Sequence, residues 1–400
     1  LALTFYISSS LLATSLAGLL YIVIPFTLFF DRMALVDSLL SMFAIWSFFL
    51  GLLFTKYRRL DLAMLLGFTI GFATLPKSPG WFFLYLQPIL LIAYPPKTRK
   101  QFFSLIFGWL TAGAIALGMY NILRLGPNFN LLASRTADYI FPLREVISHP
   151  LNPFTTHAPE TFFWLLSLLT IPVSLILIPA ILHRPRRYTL PLFLWSVLAL
   201  LAQAGVAKAY TSRYFLYTIP PLLVIIALYL SYALTHFKKG IGIILTLIVI
   251  VFPLIKSVHV LLDPVSADIP ANMHEGYFEE WTAGYGQKEI ADYLINTARD
   301  RSVVVGTDGY FGTLPDGLAM YTESTPHLTV IGGSFPITGV PDPLANSLKD
   351  PLNRVFLVVN KSRDKIPPSQ LQKFKLLAVY PKPPRANGTF EELRFYELLP

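Results

Sequence analysis

The chain has 400 residues, of which 54% are hydrophobic and only 14% charged, with a mean hydropathy of +0.56. A soluble globular domain carries about 25% charged residues, so this composition excludes an ordinary soluble fold and points to a chain that crosses a membrane many times. The net charge is +9 and there is no cysteine, which excludes disulfides and thiolate chemistry; the basic residues sit in short breaks between apolar runs, so they bear on topology rather than on nucleic acid.

The first stretch, "LALTFYISSS", is already apolar and has no basic leader. It reads as the start of a fragment lacking its true N-terminus rather than as a signal peptide. Apolar runs follow at 1–24, 38–55, 60–75, 81–94, 102–123, 161–182, 189–207, 214–235 and 240–258. A full span needs about 20 residues, so 60–75 and 81–94 are short and read as tightly fitted or partly re-entrant. The breaks alternate in character. "KYRR" (56–59), "KTRK" (97–100), "HRPRR" (183–187) and "HFKKG" (236–240) are strongly basic and are expected in the cytoplasm by the positive-inside rule. The breaks at 25–37, 76–80, 124–160 and 208–213, and everything after 259, are then expected outside.

That last segment changes composition sharply and reads as a separate domain, with the helical membrane domain over 1–260 and the second domain over 261–400. "GQKEIADYLINTA" (286–298) has helical spacing. "SVVVG" (302–306), "HLTVIGG" (327–333), "RVFLVVN" (354–360), "KLLAVY" (375–380) and "LRFYEL" (393–398) read as short strands. The expected fold class is a polytopic α-helical membrane protein with a C-terminal, extracytoplasmic, small α/β domain. Asn360-Lys-Ser and Asn387-Gly-Thr match glycosylation acceptors, a pattern common by chance.

Charges in the outer breaks are the informative residues, because a charge near mid-membrane costs about 2.5–3.5 kcal/mol and persists where it faces a cavity or partner. In "PFTLFFDRMALVD" (25–37), Asp37 has a bland reading as a helix cap, and Asp31 with Arg32 a bland reading as a surface pair. Lys77, in "TLPKSPGW" (74–81), has a bland reading as a snorkelling anchor. Against that, it lies on the side the positive-inside rule disfavours, in a break made by Pro76, Pro79 and Gly80. In "VAKAYTSRYFLYTIPP" (206–221), Lys208 and Arg213 follow a span, and Tyr210 and Tyr214, at i,i+4, would share a helix face. Arg offers a planar fork suited to phosphate; the bland reading is an aromatic belt with a stray cation. The long loop 124–160 carries Arg135, Asp138, Tyr139, Arg144, His149, His157 and Glu160; the two histidines do not match helical metal-ligand spacing. No Walker loop, HExxH or GxSxG is present.

"DRMALVDSLL" followed by a lysine in "LPKSPGW" resembles bacterial membrane glycosyltransferases of the GT-C fold, and more narrowly family 39, the protein mannosyltransferase and lipid A aminoarabinose transferase group. "GPNFNLLASRTADYIFPLREVISHPLNPF", "KAYTSRYFLYTIPP", "EEWTAGYGQKEIADYL" and "VVVGTDGYFGTLPD" extend the resemblance over essentially the whole chain, through short motifs of moderate specificity. The resemblance implies a GT-C-like helix bundle and an inverting enzyme of the cell membrane. Such an enzyme moves a sugar from a polyprenyl-phosphate donor to a protein, lipid or glycan acceptor on the outer face. It implies that Lys77, Arg213 and Arg32 meet the donor phosphate, that Tyr210, Tyr214 and Lys208 line the cavity, and that Asp37 lies near it. The family's catalytic carboxylate lies in a first outer loop that would precede residue 1, so Asp37 is a weak candidate for base and this fragment is expected to be inactive alone. No cofactor is assigned; a divalent metal stays open. Two other classes stay open as well: a lipid-linked oligosaccharide ligase or polymerase, and a transporter or flippase. Replacing Lys77 or Arg213 by Ala in the full-length protein is expected to cut transfer without loss of folding.

Overall fold

The computed structural model of the chain describes residues 1–127, 129–130, 137–183, 186–333 and 335–399, with only the backbone of Lys239. The chain divides into two compact units, Leu1–Pro270 and Ala271–Pro400.

The first unit is a bundle of apolar helices. Short α1 (Ala2–Ser8) ends at Ser9, whose left-handed φ of 49° breaks the run, and Ser10 caps α2 (Leu11–Val23) by accepting from the Ala13 amide at 3.3 Å. Ile24 is extended and Pro25 opens α3 (Pro25–Asp31), which bends from α2 by 62°. There follow α4 (Val36–Tyr57), α5 (Leu60–Thr74), α6 (Arg99–Tyr120), α7 (Asn152–Leu169), α8 (Ile171–Leu182), α9 (Arg186–Val206), α10 (Ile219–His236) and α11 (Lys239–Leu262). Among the described residues, five helices are long and apolar enough to cross a membrane, and up to seven if each bent pair counts as one span. The stretch Ser212–His236 lies at the centre of the unit, 89% of its apolar window being buried. It packs on α2, α9, α8 and α11.

Two expectations need correction. The run 161–182 is not one continuous helix: Thr170 adopts φ 76°, Pro172 follows, and α7 meets α8 at a bend of 105°. Helix α7 also begins at Asn152, with Pro153 in its first turn, so residues 152–160 of the supposed loop 124–160 are helical. The short run 81–94, read as tightly fitted or partly re-entrant, is a chain of 3₁₀ and α turns over Ser78–Ile92, since Pro79 and Pro88 each remove a backbone donor. Gly80 is required in this stretch, because a Cβ there would lie 2.5 Å from the Ala73 carbonyl oxygen at the end of α5.

The second unit is an α/β domain, with the expected helix at α12 (Gln287–Thr297) and strands β1 (Ser302–Thr307), β2 (Leu328–Gly332), β3 (Asn353–Asn360), β4 (Phe374–Pro381) and β5 (Glu392–Leu398). The sheet order is β2-β1-β3-β5-β4, with β1–β3 parallel and β5 antiparallel to both β3 and β4. The buried pattern of β3, with six consecutive buried residues, reflects a strand covered on both faces. On one face α12 and α13 (Asp316–Thr322) pack through Ile290, Leu294 and Leu318 on Val305, Phe356 and Phe395. On the other, α14 (Asp342–Ser347) sends Leu344 against Val355 and Leu357. Asn360, one of the two glycosylation matches, is 1% exposed and held by hydrogen bonds, so the folded chain cannot present it; Asn387 stays exposed.

Candidate functional site

Lys77 lies between α5 and the irregular stretch 78–92, with Pro76 ending the preceding ladder. Its Nζ donates to Asp37 Oδ1 at 2.5 Å, and the carboxylate side chain of Asp37 is only 4% exposed. The cation also sits 3.8 Å from the centroid of the Tyr214 ring. On the same ring lies the guanidinium of Arg213, at 5.2 Å. A cation over an aromatic face gains about 0.5–2 kcal/mol, more when water is excluded. Three sequence-distant segments therefore converge: the first turn of α4, the break at 76–77, and the 3₁₀ turn Ser212–Thr218 that leads into α10. Two cations thus lie on one ring, with a buried carboxylate beside Lys77.

Asp37 does not cap a helix. The cap position of α4 is Leu35, and the Asp37 side chain, in the first turn, reaches Lys77 instead. Arg32 is not brought to this cluster by any contact: it is exposed in the turn after α3. Nor does it pair with Asp31, whose carboxylate accepts from the Tyr21 hydroxyl at 2.6 Å. Tyr210 and Tyr214 do not share a helix face, because residues 207–211 are not helical and the 3₁₀ turn starts at Ser212. Tyr210 instead stacks on His157 at 4.2 Å and on Trp164 at 5.4 Å, and its hydroxyl bonds Thr161 Oγ1 at 2.5 Å. Lys208 is exposed; its backbone N–H donates to the Tyr139 carbonyl, and Ile140 bridges Ala207, so segment 139–141 runs along 206–208. Arg135 lies outside the described residues. No protein-family model matches the chain, and no curated protein matches it.

Among the described residues no group of three His, Asp or Glu side chains could hold a metal ion. In the α/β unit the charged side chains are tied to one another. At the carboxyl ends of β1 and β3, fully buried Asp308 accepts from the Asn360 amide at 2.8 Å, and Lys382 Nζ donates to Asn360 Oδ1 at 2.7 Å and to the Glu280 carbonyl at 3.0 Å. Burial brings the Lys382 ammonium down to about 8, against the pull of Glu391 and Asp308, and burial pushes the Asp308 carboxyl up despite its hydrogen bonds to Asn360. Arg363 lies 3.6 Å from the Trp281 ring centre and 4.5 Å from that of Phe335.

Sequence reasoning found Lys77, Arg213 and Tyr214 from their position in the breaks. It missed that Asp37 is the partner of Lys77, 40 residues away, and that His157 is the partner of Tyr210, because no local pattern connects them.

Proposed function

We propose that the chain is a membrane-embedded inverting glycosyltransferase that takes its sugar from a polyprenyl-phosphate donor, with the Lys77–Arg213–Tyr214 cluster meeting the donor phosphate. The observation that carries this reading is that two cations share the Tyr214 ring at 3.8 and 5.2 Å, at the end of the bundle opposite the strongly basic breaks. By the positive-inside rule the breaks that carry Lys77 and Arg213 face outward at the cell membrane. In the transfer, an acceptor oxygen bonds the anomeric carbon as the bond to phosphate breaks, and the electron pair goes to the departing lipid phosphate. Cations held in a low-dielectric site stabilise that growing charge far better than water does. Lys77 has three N–H donors, one taken by Asp37, so two remain for phosphate oxygens. Asp37 then acts as a positioning group: its lone pairs hold Lys77, and it does not serve as the base.

The test is transfer from polyprenyl-phosphate hexose by the full-length gene product in proteoliposomes. Arg213→Ala is expected to lower kcat about 100-fold, the order typical of losing one preorganised charge-stabilising group. A rate within twofold of the parent removes the phosphate-site assignment. The bends at Ile24–Pro25 and Thr170 favour a second reading, a transporter, since transporters use broken helices at their binding sites. Uptake or flipping of the lipid-linked sugar without any glycosidic product would decide for it.

A further inference from the structure

Beside Tyr210 the helical unit contains a cavity of about 260 Å³, lined by His157, Lys208, Glu145, His149, Asn152 and Thr156 among others. Its wall is built rather than incidental. His157 is 8% exposed, stands in the first half of α7, and is clamped by the Tyr210 ring at 4.2 Å and 21°. Its Nδ1 is 2.9 Å from the Ala204 carbonyl oxygen near the end of α9. A carbonyl only accepts, so Nδ1 carries the proton and Nε2 is left with a lone pair. No side chain or backbone group among the described residues donates to Nε2. Nε2 is not sealed from solvent, so a donor that enters the cavity can supply the hydrogen.

The rest of the wall defines what fits. Lys208 offers N–H donors, Glu145 offers acceptors, and Asn152 and Thr156 offer both. The carboxylate makes the cavity a poor host for an anion, and one lysine beside one carboxylate leaves it near neutral. A cavity lined by both donors and acceptors, one of them an imidazole lone pair, matches a neutral hydroxyl-rich molecule.

We propose that this cavity is a saccharide subsite in which His157 Nε2 accepts a hydrogen bond from a sugar hydroxyl. The proposal deepens the glycosyltransferase reading and rests on it only for its meaning: there the occupant is the acceptor, a glycan end rather than a protein side chain. The binding itself stands on the cavity. Lys208 forms part of its wall, four residues before the 3₁₀ turn that carries Arg213 and Tyr214, so the two sites share one short segment.

The experiment is protection from carbethoxylation by diethyl pyrocarbonate, read by peptide mass spectrometry on the purified full chain, with exposed His327 as the internal control. The probes are methyl hexopyranosides of the manno, gluco and galacto series, with inorganic phosphate as a separate arm. Expected is a several-fold fall in the labelling rate of His157 with at least one glycoside, no change at His327, and no protection by phosphate. Trp164, stacked on Tyr210, should report the same titration by fluorescence. His157→Gln should abolish the fluorescence response, and Lys208→Met, at an exposed position, should weaken it. Protection by phosphate alone, or no protection by any glycoside, overturns the subsite. If glycosides protect while no polyprenyl-phosphate sugar is ever turned over, the subsite stands and the transferase reading falls. If transfer occurs with an unchanged acceptor KM in both variants, the transferase reading stands and the subsite falls.

Discussion

In the helical unit, Lys77 and Asp37 form a buried ion pair among apolar helices, with a second cation sharing the same aromatic ring. In the α/β unit, by contrast, Asp308, Asn360, Lys382, Glu391 and Arg385 are threaded together where the sheet ends meet the 381–392 loop, and Arg394 joins Asp364 and Glu392 at the next strand. The α/β unit uses these charges to fasten loops to strands. The helical unit has little of this kind to fasten, because its helices satisfy their own backbone and pack through apolar surface. A buried charge cluster there contributes little that packing could not supply, so it marks a site, whereas the richer network in the α/β unit reads as architecture.

The largest effect expected from breaking this contrast is at Lys77. Lys77→Ala strands the buried Asp37 carboxylate, a loss of about 3–5 kcal/mol. The expectation that this substitution spares folding therefore does not survive the geometry. The double variant Lys77→Met with Asp37→Leu removes both charges and should recover most of that stability while transfer stays lost. Thermal unfolding in detergent beside a transfer assay separates the two. A Lys77→Ala protein as stable as the parent would show that the pair is not closed in solution.

Next in size is Gly80→Ala, which drives a Cβ into the backbone of α5 and should cost about 1–3 kcal/mol by the same unfolding measurement. Lys382→Met should have a similar effect in the α/β unit, about 1–3 kcal/mol, by leaving Asn360 Oδ1 without its Lys382 donor. Its pH signature is more specific. The folded Lys382 titrates at about 8, below its ordinary 10.5, so between those values the unfolded chain binds more protons than the folded one. Stability of the unit should therefore rise with pH from about 8 to 10.5, and the Lys382→Met variant should lose this slope. Amide exchange along β3 in the full chain, corrected for intrinsic rates, reads it. The smallest effect is at the exposed Arg59–Asp61 pair, where Arg59→Ala should leave unfolding unchanged, as solvent-screened pairs do.

Much of the fold was legible because it rests on periodicity. The apolar runs gave helices α4, α6, α9 and α11 nearly at their bounds, and the β-rich runs gave all five strands of the sheet. The failures have local causes. Run 161–182 is apolar throughout, and hydropathy does not register that Thr170 and Pro172 turn the chain by 105°. Tyr210 and Tyr214 have helical spacing in a stretch whose backbone follows segment 139–141 instead of a helix.

The sequence by itself determined where the chain is apolar, which breaks are basic, and that a lysine sits in a break where topology alone does not call for one. Those properties depend on the composition of contiguous residues and on local backbone preference. Only the tertiary structure decided that Lys77 meets Asp37 and Tyr214, that Arg32 stays apart, and that His157 offers its lone pair to a cavity beside Lys208. Those pairings join residues about 40 to 140 positions apart, and they follow from how helices cross and bend, which no local pattern records.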